Sequence, residues 1–294
     1  MNDEERKYLD LLRDILHGSE RSDRTGVGTI GIFGTQLRFS LENNRVPMLT
    51  TKKMFVKGII EELLFFLRGD VNTKLLEDKG VNIWKGNTTR EFLDKRGLKD
   101  LPEGNMGKGY GYQWRKFGEQ FPDCRNDECY IDTSGVDQLS QVIHTLKTNP
   151  TDRRIIMSAW NPKQLPEMAL APCHILCQFY ANKDELSCQW YQRSVDTFLG
   201  LPFNILSYAI LTKIIAQTVG MKPKELIFIG GDTHIYNNHC NQVKEQISRE
   251  PYNFPELYID KATNTVEDIE KLSFEDFRVE NYKCHPSIKA PMAI

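Results

Sequence analysis

Apolar residues recur every three or four positions at the start of the chain. Tyr8, Leu11, Leu12, Ile15 and Leu16 share one face between residues 3 and 17. That spacing predicts an amphipathic helix, with Gly18 as its stop. The period then changes to two. In TIGIFGTQLRFSL, Ile30 and Ile32, then Leu37, Phe39 and Leu41, alternate with small or polar residues and predict one or two strands. KGIIEELLFFLRG, Lys57 to Gly69, is apolar on nearly every side, which predicts a buried helix closed by Gly69. Shorter helices are expected over 72–79 and 88–96, and the stretch 98–135 is polar and turn-rich, with EGNMGKGYG (103–111) and DCRNDECYIDTSG (123–135) as loops. Val136, Leu139, Val142, Ile143 and Leu146 predict a helix over 136–147. RRIIMSAW (153–160) predicts a strand halted by Asn161-Pro162. CHILCQFYA (173–181) and ELSCQWYQR (185–193) predict a hairpin across Asn182-Lys183-Asp184. Pro202 and Gly220 bracket a helix. ELIFIGG reads as a strand, and HIYNNHCNQVKEQISRE as a helix ended by Pro251. Short strands are expected near 256–262 and 278–282. Strands and helices are mixed without a βαβ repeat or a flexible linker, so the fold class is α+β, one domain over 1–294.

The stretch DRTGVGTIG (23–31) complicates this picture. Gly26, Gly28 and Gly31 spell G-x-G-x-x-G, a dinucleotide-binding fingerprint. That motif needs a strand before the glycines and a helix after them. Here the order is helix, loop, strand, which argues against it and leaves the glycines as turn positions with positive φ.

Composition narrows the class further. A net charge of −2 gives no reason to expect nucleic-acid binding, so any anion site must be local. Seven scattered cysteines suit a reducing, cytoplasmic setting. The charged start MNDEERKYLD does not read as a signal peptide, and no apolar run approaches the length of a membrane span.

Several residues could carry chemistry. Cys173, in APCH, stands where a loop meets an apolar strand, with His174 beside it. A nucleophilic thiol there would need a nearby cation, whereas a buried apolar role suits Cys177 and Cys188 better. Cys173, His174 and Cys177, or Cys124 and Cys129, could be read as metal ligands, but neither set has a second pair at zinc spacing, so no metal is expected. Arg24, the Arg153-Arg154 doublet and Arg193-Ser194 offer guanidinium forks for a phosphate. Glu62 has Gly58, Ile59, Phe65 and Phe66 around it on the helix, so its carboxyl should be desolvated and able to move protons near neutrality. Glu61, with Lys57 four residues before it, reads as a surface charge.

The motifs DRTGVGT, TTKK, EELLFFLRG, YGYQWR, DRRIIMSAWNP, MALAPCHILCQFY, QRSVDTFLGLPFNI and GGDTHIYNNH, in this order, resemble the thymidylate synthase family over nearly the whole chain. The insertion around 117–135 resembles its eukaryotic and viral forms. The resemblance implies a large mixed sheet packed with helices, one sheet face forming a homodimer interface. It also implies reductive methylation of dUMP to dTMP, with 5,10-methylenetetrahydrofolate as co-substrate giving one carbon and a hydride. By motif, Cys173 would add to carbon 6 of the pyrimidine, with Glu62, Tyr110, His174, Arg193 and Asn204 completing the catalytic set. Arg24, Arg193 and Ser194 would hold the dUMP phosphate, with Arg153 and Arg154 reaching over from the partner subunit. Asn204 would read the pyrimidine edge, His234 and Tyr236 would meet the deoxyribose hydroxyl, and Asp196 would serve both ligands. Lys52, Ile83, Trp84, Gly200, Phe203 and Ile294 would bind folate. Related deoxycytidylate hydroxymethylases carry Asp where this chain has Asn204, so uracil is favoured over cytosine. An RNA-binding role or a catalytically dead scaffold would be the alternatives, and intact Cys173, Glu62, Arg193 and Asn204 argue against the latter. The chain departs from the family pattern at Phe65, where Trp is common, at Lys85, where Asp is usual, and in NMGKGYG, which brings Lys108 and Gly109 in place of Pro and Val.

Overall fold

The computed structural model describes residues 2–23, 25–119 and 134–292. Helix α1 (Asp3–Leu16) buries Tyr8, Leu9, Leu11, Leu12 and Ile15, the face its spacing marks out. Two strands follow, β1 (Ser19–Arg21) and β2 (Thr29–Ser40), paired antiparallel with Arg21 opposite Thr29. The glycine loop is therefore a hairpin connection, and no helix follows it. Asp23 ties that loop, accepting from the amides of Thr25 (2.9 Å) and Gly28 (2.8 Å). Gly28 has φ +77°, a conformation that costs other residues energy.

Helices α2 (Val56–Arg68), α3 (Lys74–Glu77), α4 (Arg90–Lys95), α5 (Gly111–Lys116) and α6 (Gln138–Thr148) come next. Gly69 caps α2 in the left-handed region at φ +74°. Then come β3 (Ile156–Ser158), β4 (His174–Asn182), β5 (Glu185–Asp196), α7 (Gly200–Val219) and β6 (Lys222–Tyr236). Helix α8 (Cys240–Ile247), β7 (Glu256–Ile259), α9 (Val266–Glu270) and β8 (Phe277–Glu280) complete the chain.

The main sheet has six strands in the order β1-β2-β6-β5-β4-β3. Only β5 and β6 run parallel, and α7 is the crossover between them. Register explains which residues are core. Leu37, Phe228, Trp190, Cys177 and Met157 lie in one row across five strands, and all are buried. Trp190 stacks on Tyr208 of α7, centroids 4.9 Å apart at 9°. That face is therefore the one the helices cover. The next row, Arg38, Ile227, Gln189, Gln178 and Ile156, points the other way because side chains alternate along a strand.

Four expectations need correction. The segment from His234 is not helical at its start: His234, Ile235 and Tyr236 continue β6, because pairing with both β2 and β5 reaches His234 and pairing with β2 reaches Tyr236. Helix begins only at Cys240. The polar stretch 98–135 contains a helix that its turn-rich pattern does not predict, α5, which follows the first expected loop and is held by burial of Tyr112, Gln113 and Trp114, while the second expected loop lies largely outside the described residues. The strand in 153–160 shrinks to Ile156–Ser158. Glu61 is 4% exposed and pairs with Lys79 (2.6 Å), not with Lys57; α2 is enclosed on almost all sides, so its acidic residue must find a partner from α3 and the turn after it.

Candidate active site

Cys173 sits one residue before β4, partly exposed, and lines a cavity of about 630 Å³. Tyr110, Arg193, Ser194, Asp232, His234 and Tyr236 share its lining with residues of the glycine loop and of the 169–171 segment. Ser194, Asp232 and His234 come from the C-terminal ends of the parallel pair β5 and β6, where Ser194 lies beside Asp232 and Asp196 beside His234. Sites in sheets with parallel strands gather at such carboxyl ends.

The Cys173 backbone is fixed from two sides. Its amide donates to the Tyr110 hydroxyl (2.8 Å), and its carbonyl accepts from the Arg193 amide (2.9 Å). The Arg193 guanidinium donates to the carbonyls of Pro172 (2.8 Å) and Ala171 (3.0 Å), which brings a fixed positive charge to the loop carrying the thiol. Tyr110 holds a left-handed backbone, φ +34°, between the 105–109 loop and α5. A non-glycine residue there is strained and must be held by its surroundings. Gly111 helps: a Cβ at that position would come within 2.5 Å of the Phe66 carbonyl, so only glycine lets α5 approach α2 so closely. The Tyr110 ring stacks on Phe66 (5.0 Å, 14°) and packs on His174 (4.3 Å). Burial, with Cys173 nearby, pushes the Tyr110 hydroxyl well above its ordinary value.

Glu62 behaves as its neighbours foretell. Burial raises its pKa to about 7, opposed by a hydrogen bond from Trp84 Nε1 to Oε1 (2.8 Å). Trp84 packs edge-on against Tyr110 (5.7 Å) and Phe66 (6.3 Å), so Glu62, Trp84, Tyr110 and Cys173 form one connected set. His174 is placed otherwise. It is not among the residues lining the cavity; its Nδ1 is 2.9 Å from the Tyr208 hydroxyl, and burial lowers its pKa to about 3. A neutral ring supporting Tyr110 is what this setting provides.

Asp196 ends β5, and its Oδ1 accepts from the amides of Phe198 and Leu199 (both 3.1 Å) as the chain turns into α7. Gly200, Phe203 and Asn204 lie on the first turns of α7, all partly buried. Ile83 and Trp84 are also partly buried. Lys52 is 6% exposed: its ammonium lies over the Phe198 ring (3.8 Å) and donates to the Phe198 carbonyl. Burial lowers its pKa to about 7, with Asp196 opposing. It therefore faces inward, beneath the start of α7. Arg153 and Arg154 are exposed on the turn before β3 and do not line the cavity. Arg154 pairs with Asp152 (2.8 Å), whose carboxyl it holds down to about 2. Arg24, Cys124, Cys129 and Ile294 lie outside the described residues. Among the described residues, no cluster of three or more His, Cys, Asp or Glu could hold a metal ion.

The cavity also contains residues that the sequence reading passed over. Asp232 accepts from Arg21 (2.8 Å) and contacts His234 Nδ1 (3.0 Å). Arg96 also lines the cavity and donates to the carbonyls of Met168 (3.3 Å) and Ala169 (3.2 Å). The period-two placement of Asp232, His234 and Tyr236 was a usable signal once the strand is carried through His234.

The family model for thymidylate synthase matches residues 6–294. The chain belongs to the thymidylate synthase family. It is 52% identical to the thymidylate synthase of Homo sapiens over 291 residues, covering 99% of this chain and 91% of the human one. It is 51% identical to that of Saccharomyces cerevisiae, covering 100% and 98%. A probable thymidylate synthase of Schizosaccharomyces pombe is 50% identical over 302 residues; the match covers all of this chain and 48% of that longer protein, so the chain spans about half its length. The family's enzymes are methyltransferases that convert dUMP to dTMP with methylenetetrahydrofolate as co-substrate.

Proposed function

We propose that this chain carries out that reaction at the Cys173 cavity, as a homodimer in the cytoplasm. The observation that carries the reading is the joining of a partly exposed thiol, an arginine fork and a near-neutral carboxyl within one hydrogen-bonded and stacked set.

In this reading the Cys173 thiolate forms a bond from Sγ to carbon 6 of dUMP, and carbon 5 gains the electron pair that makes it nucleophilic. An unactivated uracil is a poor nucleophile, so covalent addition is the chemical need that the thiol meets. Arg193 and Ser194, with Arg24, hold the phosphate. His234 and Tyr236 meet the sugar hydroxyl, and Asn204 reads the pyrimidine edge. Tyr110, kept as a neutral phenol by burial, is placed next to Cys173 to serve removal of the carbon 5 proton. Glu62 is the proton carrier, since a carboxyl with a pKa of about 7 gives and takes protons at working pH.

The residues fit a folate. Apolar side chains (Ile83, Trp84, Phe203), a near-neutral carboxyl (Glu62) and a second one fixed at a helix start (Asp196) suit a fused heteroaromatic ring with amide edges. When bound, methylenetetrahydrofolate supplies the one-carbon unit and the hydride. Asp196, Ile83, Trp84, Gly200, Phe203 and Ile294 would hold it, with Lys52 supporting the Asp196 end from below.

The dimer rests on the open sheet face. Leu176, Tyr180, Tyr191, Ile227 and Ile229 point away from the helices, and Tyr180 is 66% exposed. Such apolar and aromatic side chains, interspersed with Arg38, Gln178 and Gln189 on the same face, suit a second copy of the chain. Arg153 and Arg154, exposed and not part of their own cavity's lining, would then serve the partner's phosphate site. The test is turnover of dUMP with methylenetetrahydrofolate. Formation of dTMP and dihydrofolate is expected from the unaltered chain and not from Cys173→Ala; turnover by the variant would remove the assignment.

A further inference from the structure

Asp232 and Arg21 lie against the proposed sugar site without an assigned part in it. Both line the cavity beside His234. His234 and Asp232 are two residues apart on β6 and so face the same way. One carboxylate oxygen of Asp232 is 3.0 Å from His234 Nδ1, and the other accepts from the Arg21 guanidinium at 2.8 Å. Arg21 reaches it from β1, across the edge of the sheet.

A carboxylate only accepts hydrogen bonds, so Nδ1 must carry the proton. In the neutral ring, Nε2 is then left as an acceptor. An acceptor at Nε2 suits a hydroxyl that donates, such as the 3′-hydroxyl of a deoxyribose. We infer that Arg21, Asp232 and His234 form a relay that fixes the His234 tautomer and thereby makes the site selective for a nucleotide whose 3′-group donates a hydrogen bond, a hydroxyl over an ether. Asp232 and Arg21 are positioning residues here: neither touches the sugar itself. The inference rests on the proposed placement of the sugar at His234.

Arg21 gives the relay a distinctive test. In Asp232→Asn the amide can present either its oxygen or its NH₂ to His234. A guanidinium only donates, so Arg21 takes the amide oxygen and turns the NH₂ toward Nδ1. That forces the proton onto Nε2 and presents a donor to the sugar. Adding Arg21→Leu releases the amide, which can turn either end to the ring and no longer imposes a tautomer.

Binding of dUMP and of its 3′-O-methyl ether, whose 3′-oxygen accepts but cannot donate, is measured by calorimetry for the unaltered chain and Asp232→Asn. The preference for dUMP should fall about tenfold from the unaltered chain to Asp232→Asn, the scale of one hydrogen bond, because Nε2–H can donate to either oxygen; the bulk of the methyl group is common to both measurements and cancels. Nitrogen-15 NMR of the histidines, with His234→Gln to assign the signal, reads the tautomer without ligand: Nδ1–H in the unaltered chain, Nε2–H in Asp232→Asn and a mixture in Arg21→Leu/Asp232→Asn. Nε2–H in the unaltered chain overturns the relay even if the variants do not fold. A folded single variant that keeps the preference, or a folded double variant held as Nε2–H as fully as the single one, also overturns it. No preference in the unaltered chain together with Nδ1–H would instead overturn the sugar placement at His234, and the selectivity with it.

Discussion

Glu62→Gln should stabilise this protein by an amount that grows as pH rises from 4.5 to about 7 and is constant above. The side chains have nearly the same shape, and a glutamine oxygen can still accept from Trp84 Nε1. What the substitution removes is the charge. Glu62 titrates near 7 when folded, against an ordinary value of 4.5, because burial disfavours its ionised form. The sign follows from proton binding. Below pH 4.5 the carboxyl is neutral in both folded and unfolded chains, and ionisation costs nothing. Between 4.5 and 7 the unfolded chain ionises first, so stability falls as pH rises. Above 7 the loss is complete, at most about 3.4 kcal/mol by linkage. The residue is not fully buried, so water screens part of the charge and a gain of about 1–3 kcal/mol is the working figure. Urea unfolding of both proteins at pH 4.5, 6 and 8 reads it, because other titrating groups are common to both and cancel in the difference. The stability difference should grow from pH 4.5 to pH 8. A difference of the same size at all three pH values would refute the burial argument. The same variant should lose about 10²–10⁴-fold in kcat, as expected for loss of a proton carrier.

Tyr110→Phe should lower kcat by about 10²-fold with a smaller change in KM for dUMP, because it removes the hydroxyl beside Cys173 and orphans the Cys173 amide; steady-state kinetics with unchanged kcat would contradict this. Asn204→Asp should shift preference from dUMP toward dCMP by about tenfold or more, since the carboxylate can accept from a cytosine amino group but cannot donate; competition binding that shows an unchanged ratio would count against edge reading. Ile229→Lys places a charge on the open sheet face and should convert a dimer to a monomer. Light scattering after size exclusion would report one chain mass instead of two, and a variant that stays dimeric would place the interface elsewhere.

The parts of the site that depend on local sequence were legible in it. Cys173 at a loop–strand junction and Glu62 among apolar helix neighbours could be read because their surroundings are set by residues within a turn or two. Glu61 was misread for the same reason. Lys57 is its neighbour along the helix, but packing encloses α2 and delivers Lys79 instead. The helical start assigned at His234 failed because a ladder on both sides prolongs β6, and pairing with β2 and β5 is a long-range fact. Helix α5 was hidden in a polar stretch because its stability comes from Tyr112 and Trp114 packing inward, not from an extended apolar pattern. Asp232 and Arg21 were missed because they meet only when β1, β2 and β6 are assembled. Of the three glycines taken as turn positions with positive φ, Gly26 and Gly28 are so and Asp23 ties the turn they make, whereas Gly31 lies within β2, paired with Ser19 and His234.

The central claim is that Cys173 is the nucleophile. Incubating the protein with 5-fluoro-dUMP and methylenetetrahydrofolate removes the possibility of extracting the carbon 5 proton, so a covalent adduct should persist. Intact mass followed by peptide mapping should find one equivalent of nucleotide and folate per chain, on Cys173. No adduct, or an adduct on another cysteine such as Cys177 or Cys188, would contradict the account.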